Sequence, residues 1–530
     1  MKNKSNIDYS LMLPGIIVTL LFSVSLVVNP EKGSAMVNSV FAFITTNFKW
    51  SFLLFGLFSV LFLVWLGSSR WGRIKLGAPE DKPEFSDYTW AAMVFCAGIG
   101  IAIVYWAFIE PVYYMGGPPL GVEAGSIMAA EWAGVLGQFH WGITPWAIYA
   151  LPTIPIAYAI HVKRASTLRL STACKGVIGG RAEGTLGKLI NTLVIFAMIG
   201  GVGTSLGLAV PLVTALIANM LGIPESFQLQ LITLTIFTSL ISITVYAGLQ
   251  KGIAKLADLN TYIAYFLLIF VFIAGPSIYI LNLWVNSLGL MFNDFIRLSL
   301  WTDPIANAGF PEGWTVFYWA WWIAYAPMMG LFVARISRGR TIRQVVFGEL
   351  IFGSFGCWVF FAIWGGYAID VQTSGALDVA KIVSEVGTPG TIIAILSTLP
   401  AGKWLIIPIF TILCIVFLAT TLNSAAFTLS AQVTKEISGH EEPNKWNRTL
   451  WAIFLGVFAV GLLATGGLTA VQLASIVVAL PLMPILITML FSLLKWLKED
   501  YGAQLTPKTV VLETSEIISI DKTSTEAKYS

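Results

Sequence analysis

Apolar runs about as long as a bilayer is thick recur along the whole chain. A helix of roughly 20 apolar residues crosses the hydrocarbon layer, and we predict twelve such segments. They lie at about residues 11–29, 52–70, 90–115, 136–160, 188–220, 229–248, 259–283, 315–336, 345–369, 404–432, 449–467 and 472–495. Because backbone polar groups in lipid must be bonded within the protein, the chain is predicted to be an all-α polytopic membrane protein.

The composition excludes several other classes of protein. Hydrophobic residues make up 57% of the chain and charged residues 11%, whereas a soluble domain carries about 25% charged residues. The net charge of +3 is small, so no nucleic-acid partner is predicted. The four cysteines lack C-x-x-C spacing and the three histidines form no ligand pattern. We therefore predict neither an enzyme nor a resident metal or cofactor.

Lysine and arginine follow every even-numbered segment, whereas the loop over residues 118–131 has none. This bias predicts that both termini are cytoplasmic. Residues 1–9 and 499–530 are polar and are interpreted as cytoplasmic tails of a membrane domain over residues 10–498. Residues 286–312 are too polar to span and are predicted to form an extracellular amphipathic helix and loop.

Two segments contain residues that disturb helices. Segment 3 carries the stretch 97–102, Ala-Gly-Ile-Gly-Ile-Ala, and segment 8 contains Pro327. Glycine permits a helix to unwind and a ligand to approach its backbone, although close helix packing is an alternative role. The offset of five segments predicts two repeats, segments 3–7 and 8–12. An odd number of helices makes the copies inverted, and interrupted first helices in such repeats place a ligand site at the midplane.

Segment 8 opens on the aromatic stretch 313–322, Gly-Trp-Thr-Val-Phe-Tyr-Trp-Ala-Trp-Trp. On a helix, Tyr318, Trp322, Tyr325 and Met329 share one face, and Trp321 widens it. A wall of indole and phenol rings attracts a cation that cannot donate hydrogen bonds, above all a quaternary ammonium. The alternative is an aromatic belt at the membrane interface, but a belt needs only one or two rings at each boundary.

A second aromatic set in segment 4 consists of Trp141, Trp146 and Tyr149. These rings spread over a broad arc of the helix and are candidates to complete a box with segment 8. The alternative is that they are ordinary lipid-facing or interfacial aromatics. We interpret His140, which precedes them, as a hydrogen-bonded structural residue.

Segment 10 contains adjacent hydroxyl residues, Thr420 and Thr421. Hydroxyl and carbonyl oxygens are hard ligands suited to an alkali ion. The alternative is that these hydroxyls bond back to the preceding helical turn. The same two interpretations apply to residues 204–205, Thr-Ser, in segment 5. Two carboxylates, Glu110 and Asp258, lie near segment ends, which disfavours a proton relay.

Residues 313–322 strongly resemble the signature of the betaine/choline/carnitine transporter (BCCT) family. The stretches 334–343, 139–142 and 110–111 agree, and the resemblance covers about residues 11–495. It implies a carrier of twelve transmembrane helices with a LeuT-like core of two inverted five-helix repeats, helices 3–7 and 8–12. It also implies a homotrimer in the cytoplasmic (inner) membrane that contacts lipid and carries small zwitterions.

The resemblance also implies site residues, with Trp321, Trp322 and Tyr325 as a central aromatic cage. The further implied substrate-binding residues are Trp141, Tyr113, Met329, Trp146, Tyr149, Ile99, Gly100 and Ala102. The implied sodium ligands are Thr420, Thr421, Phe417, Ala97, Gly98, Ile99, Thr204 and Ser205.

Substrate and coupling follow from where the chain departs from its subfamilies. Asn260 stands where sodium-independent exchangers have arginine, which favours Na⁺ as the coupling ion. Ala102 stands where proton-coupled choline carriers have aspartate, which favours a zwitterion such as glycine betaine, carnitine or dimethylsulfoniopropionate. We expect a sodium-coupled symporter. One alternative, suggested by Tyr325 and Met329, is a sodium-independent carnitine-type exchanger. A betaine-binding membrane sensor is the other, and the tail without an output domain disfavours it.

Overall fold

The computed structural model describes residues 6–247, 250–437, 441–465 and 468–502. Most of the two predicted tails, residues 1–5 and 503–530, lies outside the described residues. The described part is almost entirely helical, and its only β-type pairs are two isolated bridges, Ile7 with Thr434 and Lys75 with Thr341.

The first half of the chain forms eleven helices. They are α1 (Tyr9–Val28), α2 (Pro30–Ser68), α3 (Asp87–Gly116), α4 (Ile127–His140), α5 (Ile143–Ala157), α6 (Leu170–Ala173), α7 (Lys175–Ile178), α8 (Thr185–Leu221), α9 (Phe227–Ala247), α10 (Gln250–Ala274) and α11 (Ser277–Leu300). A π-helical turn, Tyr158–Val162, extends α5.

The second half forms eight more helices. They are α12 (Phe317–Ile336), α13 (Ile342–Gly348), α14 (Ser354–Phe360), α15 (Gly366–Thr373), α16 (Val379–Thr398), α17 (Ile407–Gln432), α18 (Lys445–Thr465) and α19 (Leu468–Tyr501). Four π-helical turns interrupt or precede them, at Pro311–Val316, Glu349–Gly353, Phe361–Gly365 and Gly402–Ile406.

Within the described residues, eleven helical stretches are long and apolar enough to cross a membrane. The pair α10 and α11 adds a twelfth if it is counted as one span, although the two helices are bent by 107°. The predicted all-α polytopic architecture is therefore confirmed. The first predicted segment forms α1, whose apolar stretch Tyr9–Val24 is shorter than the others.

The structure differs from the predicted segments in several places, and α2 begins at Pro30 whereas segment 2 was predicted from about residue 52. The sequence analysis assigns no helix between residues 369 and 404, yet α16 forms there, with non-helical backbone at Gly387. The glycines and charged side chains of α16 lower its hydropathy, so this stretch does not look like an apolar segment. The predicted segment 259–283 ends early, because Gly275 and Pro276 separate α10 from α11. Proline has no N–H to continue a helix. The amphipathic helix therefore begins at Ser277 rather than near residue 286.

The helices assigned to the two predicted repeats occur along the chain as two successive sets of five members. The first set is α3, α4 with α5, α8, α9 and α10. The second set is α12, α13 to α15, α17, α18 and α19. In both sets, additional helical segments lie between the second and third members: α6 and α7 in the first set and α16 in the second.

The predicted interruption of segment 8 at Pro327 is wrong. Helix α12 continues through Pro327, and its irregular part is the π-helical turn that precedes Phe317. The proline removes one backbone hydrogen bond. Helix α12 is packed between α5, α8 and α19, with close contacts such as Gly330 against Pro152 and Ile156.

The basic loop 337–341 is tied to the segment between α2 and α3. Arg338 donates to both oxygens of Asp81, at 3.0 and 3.1 Å. This hydrogen bond, followed by one from the Ala78 backbone N–H, lowers the pKa of Asp81 from its ordinary value of 3.8. Arg340 pairs with Asp87. These contacts connect the first helices of the two sets at one end of the molecule.

Candidate functional site

Helix α3 is broken at Gly100, as the glycine stretch predicts. Gly100 has φ 51° and ψ −147°, a conformation that L side chains rarely adopt. A Cβ on Gly100 would lie 2.6 Å from the Thr421 hydroxyl oxygen, and one on Gly98 would lie 2.8 Å from the Trp146 ring. Close neighbours therefore require both glycines, and Gly100 is also required by its backbone conformation.

A narrow cavity lies beside this break. It is lined by Ala97, Gly98, Ile99, Gly100, Ala102, Tyr149, Ser205, Trp321, Trp322, Tyr325 and Thr421. All of these were singled out in the sequence, and the fold brings them together from α3, α5, α8, α12 and α17. None of these lining residues carries a charge.

Two parallel indoles form one wall of the cavity. Trp321 and Trp322 have ring centroids 5.3 Å apart and planes only 8° apart. Tyr149 meets Trp322 edge-on at 5.6 Å, and Tyr325 meets Trp321 edge-on at 6.4 Å. With interplanar angles of 86° and 75°, the two tyrosine rings stand nearly perpendicular to the parallel indoles.

Hydrogen bonds hold the polar ends of these rings. The Trp321 indole N–H donates to the Gly201 carbonyl at 3.3 Å, and the Trp322 indole N–H donates to the His140 carbonyl at 3.1 Å. The Tyr325 hydroxyl bonds to the Ser205 hydroxyl at 2.6 Å. Because these donors are already used, the rings present π faces to the cavity.

A buried polar network lies behind the cage around Glu110, which is fully buried. One Glu110 oxygen accepts from the Trp141 indole N–H at 2.9 Å and from the Tyr318 hydroxyl at 2.6 Å. The other oxygen accepts from the Tyr114 hydroxyl. Trp141 in turn packs edge-on against Trp322, at 4.8 Å. Glu110 is therefore a positioning residue for the cage, a role that its place in the sequence did not indicate.

His140 is fully bonded within this network. Its Nδ1 lies 2.6 Å from the Tyr114 hydroxyl, and its Nε2 lies 3.0 Å from the Thr315 hydroxyl. The imidazole also stacks on Tyr318, with ring centroids 5.0 Å apart. These contacts agree with the structural role that the sequence analysis assigned to His140.

Four of the predicted substrate residues lie outside the cavity lining, namely Trp141, which packs on Trp322, and Tyr113, Trp146 and Met329. Tyr113 bonds to Thr388 of α16 at 2.6 Å and packs on Trp314 at 5.8 Å. Trp146 fills the space beside Gly98 and meets Tyr149 edge-on. Met329 also lies beside Gly98. Tyr113 is therefore separate from the cage, whereas Trp146 and Met329 support it from behind.

The predicted sodium ligands divide into two groups. The Thr421 side chain and the 97–100 segment line the cavity. The Thr420 hydroxyl instead donates to the Phe417 carbonyl of its own helix at 2.9 Å. The Thr204 hydroxyl donates to the Gly200 carbonyl and also meets Ser475 at 2.8 Å. Back-bonding, the alternative considered for these hydroxyls, therefore describes Thr420 and Thr204.

Asn260 is buried on α10, which packs against α17. Its side-chain carbonyl oxygen has no hydrogen-bond partner. A buried amide oxygen without a donor is unfavourable by about 1–3 kcal/mol. It is also a hard oxygen of the kind that coordinates alkali ions.

One buried carboxylate was missed. Glu349 lies within predicted segment 9 and is fully buried in the π-helical turn Glu349–Gly353. The signal was present, because an acidic residue four positions inside an apolar segment is rare and costly. The expectation that the protein has no proton relay rested on Glu110 and Asp258 alone and did not take Glu349 into account.

These features define a class of protein: a multi-pass membrane transporter whose buried cavity lies against a broken helix. The family model of the BCCT, betaine/carnitine/choline family transporters matches residues 10–502, and the chain belongs to that family. A solved structure described as the substrate-bound outward-open state of a Na⁺-coupled sialic acid symporter is also similar, at 12% identity and a TM-score of 0.39. That likeness covers 87% of this chain and 84% of the other, and it is too distant to bear on substrate or ion.

Proposed function

We propose that the protein takes up a small zwitterionic betaine-like osmolyte by sodium-coupled symport with alternating access. The candidate substrates are glycine betaine, carnitine and a sulfonium analogue such as dimethylsulfoniopropionate. The observation that supports this most strongly is the uncharged cavity between the parallel indoles of Trp321 and Trp322 and the break in α3 at Gly100.

The indole wall suits the cationic end of such a substrate. A quaternary ammonium or sulfonium group cannot donate a hydrogen bond, so ring faces bind it better than oxygen acceptors do. The indole N–H groups of Trp321 and Trp322 bond to the Gly201 and His140 carbonyls, outside the cavity lining, which leaves their ring faces available. A protonated amine would leave its N–H groups unsatisfied among these rings.

The broken helix suits the anionic end. The part of α3 that follows Gly100 begins a helix, and the first N–H groups of a helix have no partners within it. These donors and the positive end of the helix dipole favour a carboxylate beside Ala102. Because Ala102 adds no negative charge, it does not compete with the carboxylate of the substrate.

Sodium is the proposed coupling ion. The part of α3 before Gly100 ends with carbonyl groups that no longer bond along the helix, and the Thr421 hydroxyl lies opposite them. The unpartnered oxygen of Asn260, on α10 beside α17, is a further candidate ligand. No arginine or lysine side chain occupies the cavity lining.

Purified protein in proteoliposomes tests the proposal directly. We expect uptake of radiolabelled glycine betaine that requires an inward sodium gradient and stops when potassium replaces sodium. Equal exchange in sodium and in potassium, together with no net uptake, would instead establish the carnitine-type exchanger. Binding without transport of any betaine in the panel would point to the sensor.

Location and assembly belong to the same proposal: a homotrimer in the cytoplasmic membrane, with both termini in the cytoplasm and the amphipathic segment outside. Helix α11 supports an assembly role, because Ile278 and Val285 on it are 71% and 68% exposed. Native mass spectrometry should give three copies per particle, and impermeant labels applied from outside should reach α11 but neither terminus.

A further inference from the structure

Glu349 is an isolated acid in the middle of packed helices. Its side chain has 0% exposure, and neither carboxyl oxygen has a hydrogen-bond partner. It opens the π-helical turn Glu349–Gly353 between α13 and α14. Such turns are uncommon, and they frequently occur at functional sites.

No counter-charge faces this carboxyl from the helices packed against its turn, which are α3, α5, α13 and α14. On α13, Arg343 donates to the carbonyls of Gly67 and Ser68. On α3, Asp87 pairs with Arg340 and Glu110 is held in its own network. The other titratable side chains on these four helices are Tyr149, Cys357, Tyr88, Cys96, Tyr105, Tyr113 and Tyr114.

The polar group that faces Glu349 is the hydroxyl of Thr153 on α5. That hydroxyl donates to the Tyr149 carbonyl at 2.9 Å rather than to Glu349. Tyr149 is the ring that meets Trp322 at the substrate cavity. Glu349 is therefore connected to the back of the cage through Thr153 and Tyr149, without lining the cavity.

Glu110 and Glu349 differ in the hydrogen-bond donors around them. Glu110 accepts hydrogen bonds from three side chains, an arrangement that stabilises a carboxylate. Glu349 accepts none, and a buried ion without donors or a counter-charge is so costly that the group takes up a proton instead. Glu349 is therefore carried as a neutral carboxylic acid in this packing arrangement.

A packed layer separates Glu349 from the basic loop. The neighbouring Gly348 packs against the Trp90 ring. The Trp90 indole N–H donates to Ser337 at 3.0 Å, and the Arg340 guanidinium lies 4.7 Å from the ring centroid.

We propose that Glu349 is a proton-binding site that is filled in the closed arrangement and emptied to water when the Trp90 layer opens towards the basic loop. The closed state then holds one proton more than the open state. By linkage, alkaline pH favours opening on this side, by about tenfold per pH unit where the open state is ionised and the closed state is not. This site goes beyond the proposed symport function and depends on no particular substrate.

Infrared spectroscopy of the whole protein in lipid tests the protonation state. We expect a carbonyl band from a buried, protonated carboxyl in the wild type, and its loss in Glu349→Gln. Glu110→Gln is the matched comparison: it also removes a buried carboxylate, but the band should remain. Persistence of the band in Glu349→Gln, or its absence from the wild type, would overturn the proposal. The wild-type spectrum decides the matter if the variant does not fold.

Hydrogen–deuterium exchange of residues 337–348 tests the linkage. Comparing the wild type with Glu349→Gln at each pH removes the intrinsic pH dependence of amide exchange. We expect the ratio of their exchange rates to rise with pH, approaching tenfold per unit. A purely structural glutamate would give a constant ratio, and that result would refute the proton site. Neither measurement requires substrate, so failure here is distinct from failure of the proposed transport function.

Discussion

Gly100 and Thr421 lie against one another across the interface between α3 and α17. A Cβ on Gly100 would approach the Thr421 hydroxyl oxygen to 2.6 Å. The break in α3 thus brings the Thr421 hydroxyl against the backbone at Gly100, where both residues line the cavity. This contact is the structural basis of the proposed sodium site.

Replacing Thr421 by alanine should weaken sodium coupling. Loss of one hydroxyl ligand leaves a hard cation with fewer oxygens in a site of low dielectric constant. We expect the sodium concentration for half-maximal uptake to rise, and substrate affinity to depend less steeply on sodium.

Thr411→Ala is the matched control for this substitution. Thr411 lies on the same helix, is buried, and donates to the Ile407 carbonyl at 2.8 Å, away from the cavity. The sodium dependence of uptake by Thr411→Ala should match that of the wild type. An unchanged sodium dependence in Thr421→Ala would exclude Thr421 as a ligand.

Asn260→Arg should make transport independent of sodium. A guanidinium at this buried position would supply a permanent positive charge in place of the ion. Uptake by the variant in potassium should equal its uptake in sodium, whereas Asn260→Gln should still require sodium. A variant that folds and binds substrate yet retains full sodium dependence would contradict the expectation.

Trp322→Leu should weaken binding of the substrate cation. The change keeps an apolar side chain but removes the indole face. Loss of a desolvated cation–π contact costs about 2 kcal/mol, or roughly thirtyfold in Kd. Equilibrium binding of labelled betaine to detergent-solubilised protein measures this effect.

Trp319→Leu provides the comparison for the same chemical change. Trp319 is equally buried, but it faces α2 at Gly56 and packs on Phe139 at 5.4 Å, away from the cavity. Its affinity for betaine should remain close to that of the wild type. If both variants lose affinity equally, the cage assignment is wrong.

Ala102→Asp should change the charge preference of the site. The new carboxylate attracts a bare cation such as choline and repels the carboxylate of a betaine. We expect choline uptake to appear and betaine uptake to fall, whereas Ala102→Asn, of similar size but neutral, should gain no choline uptake. Unchanged choline transport in a variant that reaches the membrane would count against the zwitterion argument.

Asp81→Asn should destabilise the basic loop in a pH-dependent way. The pKa of Asp81 is lowered in the folded protein by its hydrogen bond from Arg338. Its stabilising contribution is therefore complete above its ordinary pKa of 3.8 and disappears as pH falls through the lowered value. The difference in thermal unfolding between wild type and variant should shrink below that pH. A difference that stays constant would show that the charge of Asp81 is not involved.

The membrane helices were predictable because the apolar composition of each helix is visible in its own stretch of sequence. The apolar runs that became α3, α8 and α12 are close to their final bounds. Helix α16 was missed because its sequence, with Lys381, Glu385 and Gly387, does not look apolar over a full span. The early end of α10 was missed because hydropathy continues across Gly275 and Pro276.

The residue types of the candidate site were also visible in the sequence, because clustered aromatics and paired glycines are rare within a membrane segment. Their arrangement was not. The sequence could not show that Tyr113 points to Thr388 rather than to the cage, or that the Thr420 hydroxyl bonds to its own helix. Such choices depend on which neighbour is within about 3 Å, and packing determines that.

The sequence by itself determined the class of protein, the approximate spans and the chemistry available at the site, since hydropathy and residue type act locally. Only the tertiary structure decided which buried acid is satisfied. Glu110 and Glu349 look alike in the sequence, as single carboxylates within apolar segments. Helices α3 and α12 and the turn between α4 and α5 bring three donors to Glu110, whereas the helices around Glu349 bring none. Because charge in a low-dielectric interior depends on such neighbours, the fold alone assigns them different roles.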